Sequence, residues 1–280
     1  MQRSRVDILT TLIKYIILGF SLSLVFIPFF WLISTSIKLP IDIFAVPQIW
    51  IPTNITFEHY QNLMQVSGIF PYFINSVIIA SMTTLIATIL GASAAYSLAK
   101  VKFPFKLGAI IVYWILLTRM YPAVCTGIGY FLVIKTLGLL DTRMALIITY
   151  TGFNIPFVVW ILIGFFNEIP LELEEAAVVD GATLWQRFSK IVLPISIPGI
   201  VVAAVFSFIL AWNEFLFAVI LTTLKAKTIP VVISGFITDR GLQWGQMSAL
   251  GIIAVIPVIG FALLIQKNFV RGLTFGAVKG

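Results

Sequence analysis

The chain has little sulfur or imidazole chemistry to offer. Its 280 residues include one cysteine, Cys125, and one histidine, His59. That excludes an internal disulfide, a cysteine metal cluster and a metal site built from histidines. Acidic residues are also scarce, 11 against 18 lysines and arginines, and charged residues of both signs make up only 10% of the chain. The glycine-rich phosphate loop G-x-x-x-x-G-K-[ST] is absent, so the chain cannot itself cradle a nucleotide. It also lacks a nucleophile–base set and the G-x-S-D or paired-aspartate signature of an intramembrane enzyme. The net charge of +7 is not gathered into a basic stripe with interleaved aromatics, which argues against nucleic acid as a partner.

What is present is apolar. Hydrophobic residues account for 60% of the chain, more than a soluble domain of this size can hide, and lipid is the natural solvent for them. Six stretches reach the roughly 20 apolar residues that a helix needs to cross a bilayer. They are Tyr15–Ile33, Ile69–Ala99, Leu107–Ile134, Met144–Asn167, Ile191–Leu224 and Gly241–Gln266. The third holds Arg119 and Pro122, the fifth Glu214, Pro194 and Pro198, so both are expected to be kinked or broken. The first run, after Arg3, Arg5 and Lys14, is longer than the apolar core of a signal peptide and reads as a retained helix. The expected fold is an all-α integral membrane protein of six transmembrane helices, a single transmembrane domain over residues 1–280. Lysines and arginines favour the side that carries the N-terminus. The compact "KVKFPFK" loop (Lys100, Lys102, Lys106) adds most weight, so both termini are expected in the cytoplasm. The proline- and aromatic-rich segment 34–68 is expected to form an ordered cap on the outer face.

Against this background one charged stretch stands out. Five of the 11 acidic residues, Glu168, Glu172, Glu174, Glu175 and Asp180, crowd in front of the fifth apolar run. The sequence there is "PLELEEAAVVDGATLWQRFSKIVLPISIPG", residues 170–199. Pro170 suits a helix's first turn, and the glutamates that follow complement the positive end of its dipole. Ala176 and Ala177 are small enough to let a partner surface approach. Asp180-Gly181 stops the helix, and Thr183 with Gln186 has the spacing of a capping box that starts another. That second helix is expected to run through Trp185, Phe188 and Ile191 to Leu193-Pro194, continuous with the next span. A loop that merely solubilises the surface is the competing reading. The fixed order of E-A-A, D-G-A, phenylalanine and L-P separates the two.

This segment resembles the EAA loop of permease subunits of ATP-driven (ABC) importers. Glu175, Ala176, Ala177, Asp180, Gly181, Ala182, Phe188, Leu193 and Pro194 match its pattern, with Glu174 an additional acid. "NSVIIASMTTLIATILGASAAYSLA" (Asn75–Ala99), "AWNEFLFA" (Ala211–Ala218) and "GLTFGAVKG" (Gly272–Gly280) are similar to the carbohydrate branch, and within it to the second, six-span permease of the maltose type. The resemblance implies a non-catalytic permease whose coupling loop, about 168–190, seats in a cleft of a cytosolic ATPase dimer. Glu174 and the nine matching residues would form that contact. It implies no cofactor on this chain, with ATP and Mg held by the ATPase. It further implies a second, different permease, an extracytoplasmic solute-binding protein, a sugar or oligosaccharide substrate, and a place among the lipids of a bacterial or archaeal cytoplasmic (inner) membrane. The tail Gly272–Gly280 either lies against the ATPase pair or is disordered.

Polar residues inside spans are costly and point to a pathway. Trp212, Asn213 and Glu214 put an aromatic face, an amide and a carboxylate in one turn, chemistry that suits sugar hydroxyls. The competing role for Glu214 is to pair with another subunit or brace a helix end. Asn75, Tyr150 and Asn154 are further candidates, against the common use of buried asparagine as interhelical glue. Arg119 is expected to face the outer vestibule. Gly91, Ala92, Ala94 and Ala95 are expected to pack closely against the second permease. An importer for another solute, such as a glycerol phosphodiester or a polyamine, is an alternative, because EAA loops are shared across importers. An ion-coupled secondary transporter would want several midplane carboxylates and an inverted repeat, and the sequence offers neither.

Overall fold

Four of the apolar runs fold as unbroken helices, three of them around an internal proline, and two runs break. The computed structural model describes residues 5–65, 68–101, 103–238 and 241–275, with side chains for those between 10 and 263. Along the chain come α1 (Arg5–Ser36), α2 (Pro40–Ile43), α3 (Glu58–Gln65), α4 (Phe70–Lys100), α5 (Leu107–Met120), α6 (Ala123–Thr136) and α7 (Arg143–Asn167). They are followed by α8 (Leu171–Val179), α9 (Leu184–Arg187), a π turn (Phe188–Val192), α10 (Leu193–Ile195), α11 (Ile197–Trp212), α12 (Leu216–Leu221) and α13 (Ile229–Ser234). A two-residue hairpin, β1 (Ile237–Thr238) and β2 (Gly241–Leu242), precedes α14 (Trp244–Phe275).

Four helices are long and apolar enough to cross a bilayer alone: Thr10–Ser36, Phe70–Lys100, Arg143–Asn167 and Trp244–Leu263. Two bent pairs bring the count to six. Pro104–Met120 and Ala123–Thr136 meet at 96°, where Tyr121-Pro122 interrupts the run. Leu184–Ile195 and Ile197–Trp212 meet at 80° around Ser196. The second bend corrects the expectation of a helix continuous with the next span, because a π turn and a break intervene. The sixth helix reaches Phe275, beyond the expected Gln266. Of the expected tail, 276–280 lie outside the described residues.

The chain divides into two units. The first takes the residues to Ile69 together with Ile233–Ile256. None of the apolar window of α1 is buried, but the chain beyond it is tied down. Lys38 is fully buried with its Nζ 4.1 Å from the centre of the Trp31 ring. His59 Nε2 donates to the Lys38 carbonyl at 2.9 Å, and Lys38 bridges to Ile55. Tyr60 donates to Ser36 Oγ at 3.0 Å, and Trp31 meets Trp50 edge-on at 5.1 Å. Burial lowers the Lys38 pKa, opposed by nearby Asp42. Gly245 lies against the His59 ring so closely that any side chain there would collide.

The second unit holds Phe70–Val232 and the chain from Pro257. Its centre is the α4–α7 pair. Ala87, Gly91, Ala92 and Ala95 are buried in one cluster with Val158, Val159 and Leu162. A Cβ on Gly91 would lie 2.6 Å from Val158 Cγ1, so glycine sets how near the two helices come. The small-residue face expected to meet a second permease is therefore used largely within the chain. α11 packs on both helices, and Ile79, Ala80, Tyr150, Phe208, Trp212 and Phe217 fill a second cluster.

Candidate coupling loop and intramembrane cavity

α8 begins after Pro170, which stands at the N-cap, and its first turn holds Glu172 and Glu174. Its end is a Schellman closure. Ala182 N–H donates to the Ala177 carbonyl at 2.9 Å and Gly181 N–H to Val178 at 3.0 Å, with Gly181 at φ +78°. The next helix starts with both bonds of a capping box: Gln186 N–H donates to Thr183 Oγ1 at 3.3 Å, and Gln186 Oε1 accepts from Thr183 N–H at 2.8 Å. These local signals were legible in the residues.

The residues expected to couple to an ATPase divide between two faces. Glu175, Ala176, Asp180, Gly181 and Pro194 are exposed, and Ala182 and Leu193 are half-buried. They share the outer face with Leu171, Leu173, Val178, Val179, Leu184 and Trp185, all exposed. Exposed apolar side chains and carboxylates close together on one short segment make it a candidate partner surface. Glu174, Ala177 and Phe188 point the other way and are buried. Glu174 Oε2 accepts from the Tyr96 hydroxyl at 2.8 Å, with Lys100 Nζ 3.4 Å from Oε1 and Arg187 4.0 Å from Oε2. Glu174 is thus an internal residue. Neither Tyr96 nor Lys100 was singled out from the sequence as its partner, because nothing local marks a contact across 78 residues.

The substrate-path candidates separate likewise. Trp212 ends α11 and is buried against Phe208 (5.7 Å) and Phe73 (5.9 Å). Asn213 is exposed and donates to the Ile209 carbonyl at 2.9 Å. Glu214 caps the first turn of α12, accepting from Phe217 N–H at 2.9 Å and Ala218 N–H at 3.2 Å. The helix ends between these residues, so the expected single cluster does not form. Asn75 is fully buried, donating to the carbonyls of Lys225 (2.9 Å) and Lys227 (3.0 Å) and accepting from Arg143 Nε at 2.7 Å. It clamps a loop.

Three candidates do meet. Tyr150, Asn154 and Glu214 line a cavity of about 170 Å³ with Arg119, Phe153 and Phe217. Asn154 accepts from Ser207 at 3.0 Å and donates to the Tyr150 carbonyl at 2.9 Å. The buried Tyr150 hydroxyl faces the Glu214 carboxylate but makes no hydrogen bond of good geometry with it. Arg119 donates to the Phe153 carbonyl at 3.1 Å and lies 5.4 Å from the Phe157 ring. A carboxylate and a guanidinium between aromatic faces, with the buried Tyr150 hydroxyl turned towards the carboxylate, can exchange hydrogen bonds with a hydroxyl-rich ligand.

A carboxylate missed from sequence holds the segment 222–228. Asp141 accepts from the amides of Thr223, Leu224, Lys225 and Ala226 at 3.0–3.2 Å, and from the Thr223 hydroxyl at 3.0 Å. Burial alone would raise its pKa. The amides of Lys225, Thr223, Ala226 and Leu224 outweigh that and hold it well below the usual carboxylate range.

Known proteins resemble this chain in sequence and in fold. Residues 87–275 match the family described as the inner membrane component of binding-protein-dependent transport systems. The trehalose transport system permease protein SugB of Mycobacterium tuberculosis is 38% identical over 268 residues, 95% of each chain. The trehalose/maltose transport system permease protein MalG of Thermococcus litoralis is 36% identical over 258 residues, 90% of this chain and 91% of that one. In fold, the chain is similar to one in the crystal structure of a bacterial ABC transporter involved in import of the acidic polysaccharide alginate, with TM-score 0.77 and 22% identity over 96% of this chain and 99% of that one. The chain belongs to the family of inner membrane components of binding-protein-dependent transport systems, and it is a non-catalytic ABC transporter permease subunit.

Proposed function

We propose that this chain is the permease subunit of an ATP-driven importer for a sugar or short oligosaccharide. It works with a cytosolic ATPase pair that holds the ATP and Mg, a second and different permease, and an extracytoplasmic solute-binding protein. Both termini and the α8–α9 loop lie on the cytoplasmic side, and residues 1–280 act as one transmembrane domain. The observation that carries this reading is the outer face of α8–α9. Six apolar side chains rimmed by Glu172, Glu175 and Asp180 are exposed on a segment whose caps fix its shape, which is what docking into another subunit requires. Closure of the ATPase pair on ATP moves that segment, and the bundle alternates between its two openings. Relatives named for trehalose and maltose transport support the substrate class, as does the chemistry of the Arg119–Tyr150–Asn154–Glu214 cavity. We assign Tyr150, Asn154 and Glu214, joined by Arg119, to the path. Asn75, Trp212 and Asn213 support it through packing and loop geometry.

The test is reconstitution of the chain with its partner subunits in proteoliposomes, using labelled trehalose and maltose. ATP-dependent uptake is expected, with polyamine and glycerol phosphodiester left outside. Trp185→Glu and Gly181→Val are expected to abolish copurification of the ATPase while the chain still inserts. Glu214→Gln is expected to lower uptake about tenfold with ATPase binding unchanged, the effect of losing one charged hydrogen-bond partner. Uptake of a polyamine in place of the sugars would overturn the substrate class. A purified complex without an ATPase would overturn the importer reading itself.

A further inference from the structure

We propose that one turn of α4, Tyr96 to Lys100, is the seat through which the coupling segment drives the membrane bundle, with Glu174 as the positioning residue locked into it. This rests on the importer reading above. Three separate pieces of the segment converge on that turn. Lys100 Nζ donates to the Ile169 carbonyl at 2.9 Å, where the chain leaves α7. The same ammonium lies 3.4 Å from Glu174 Oε1, and the Tyr96 hydroxyl donates to Oε2 at 2.8 Å. The Tyr96 ring lies between Phe166 (6.3 Å, edge-on) and Phe188 (4.9 Å), and Trp185 packs on Phe188 at 5.6 Å. Tyr96 and Lys100 are one helical turn apart, so they present a single site to all three.

Physical chemistry makes this joint stiff. Glu174 is 2% exposed. Withdrawing α8 from α4 would break the Tyr96 hydrogen bond and the Lys100 ion pair of Glu174 together, so the two helices are held to each other. The other mechanical route is weaker, because the chain turns through 80° between the coupling segment and α11. α4 is well suited to carry the load. It is an unbroken helix of 31 residues, about 46 Å at 1.5 Å per residue, locked to α7 through Gly91. At its far end Asn75 grips the carbonyls of Lys225 and Lys227. A displacement received at Tyr96 is therefore delivered to the loop 222–228, roughly 30 Å away along the helix.

The experiment uses the full reconstituted complex. Cys125→Ala removes the native thiol, and spin labels are placed at Lys190, two residues beyond Phe188 in the coupling segment, and at Met82 on α4, both exposed. The expected result is one narrow label distance that does not change between the nucleotide-free and ATP–vanadate states, because the coupling segment and α4 travel as one body. Glu174→Gln, and separately Tyr96→Phe, which keeps the ring, are expected to widen that distribution. Both should cut sugar imported per ATP hydrolysed about tenfold, the size of an ordinary coupling term, with the ATPase still copurifying. A native distance that shifts with nucleotide overturns the proposal. So do two variants with native distances and native transport per ATP. Loss of the ATPase from Glu174→Gln or Tyr96→Phe also overturns it, by moving the residue's role to the partner surface. If the native complex contains no ATPase, it is the importer reading that fails.

Discussion

Asp141 and Glu174 are both carboxylates that tie one loop to the bundle, and they do it by different means. Asp141 is surrounded by backbone: four consecutive amides and one hydroxyl converge on it, and its own φ of +57° holds the turn that aims it. Glu174 is surrounded by side chains, the Tyr96 phenol, the Lys100 ammonium and the Arg187 guanidinium, and its Oε1 has Lys100 at 3.4 Å without a hydrogen bond. Amides fixed in a loop cannot turn away, so the Asp141 knot is permanent. The Glu174 knot joins side chains of two helices, so it fastens α8 to α4 while both move together. One carboxylate fixes a platform and the other fastens a moving part.

The largest expected effect tests the permanent knot. Asp141→Ala removes the shared acceptor and puts a β-carbon without side-chain support in the left-handed region. Together these are expected to cost about 3 kcal/mol, read as a lower Tm of the solubilised chain. A loss below about 1 kcal/mol would break the comparison, since such a knot would then hold nothing. The pH dependence sharpens it. The folded-state pKa of Asp141 is depressed, so its stabilisation is present above the unfolded carboxylate value, near 3.9, and is lost as pH falls through the lower folded value. The stability gap between the native chain and Asp141→Asn is expected to be constant above about pH 5 and to narrow below about pH 4.

Next in size is Asn75→Ala, expected to cost about 2 kcal/mol by leaving the Lys225 and Lys227 carbonyls unpaired. Asp141 and Asn75 act on the same loop. The double variant is therefore expected to lose less than the sum of the two single losses, a coupling that a thermal double-mutant cycle measures directly. Strict additivity would show that each residue holds a separate structure.

What was legible in the sequence was local. The capping box at Thr183 and Gln186, the stop at Gly181 and the break at Pro122 each depend on residues within a turn of one another, and each is in place. The six apolar runs were legible because a bilayer imposes their length. What failed depended on direction or on distance. Trp212, Asn213 and Glu214 read as one cluster only if the helix continues, and it ends at Trp212. Glu174 and Glu175 are neighbours in sequence, yet a helix turns successive side chains about 100° apart, so one is buried and the other exposed. The partner of Gly91 was assigned to another chain because periodicity identifies a close-packing face without naming what meets it; Val158 does. Asn75 and Lys225 are 150 residues apart, and no spacing rule reaches that far.

The smallest expected effect separates the Glu174 knot from the helix that follows it. α9 is four residues long, too short to persist on its own hydrogen bonds, so its capping box supplies much of what keeps it helical. Thr183→Ala removes the acceptor for Gln186 N–H and is expected to cost about 1 kcal/mol. The loss should be confined to α9, read as faster hydrogen exchange at the amides of Gln186 and Arg187. Exchange in α8 should not change, because its Schellman closure runs through Ala177 and Val178 and the shorter Glu174 contacts, from Tyr96 and Lys100, come from α4 rather than from Arg187 of α9. Protection lost from α8 in the same variant would mean that the two short helices unfold as one unit. The Tyr96–Glu174 contact would then be only one part of a larger joint, and the contrast with Asp141 would weaken accordingly. Protection retained in α8 would leave Glu174 as the point at which the coupling segment is held to α4.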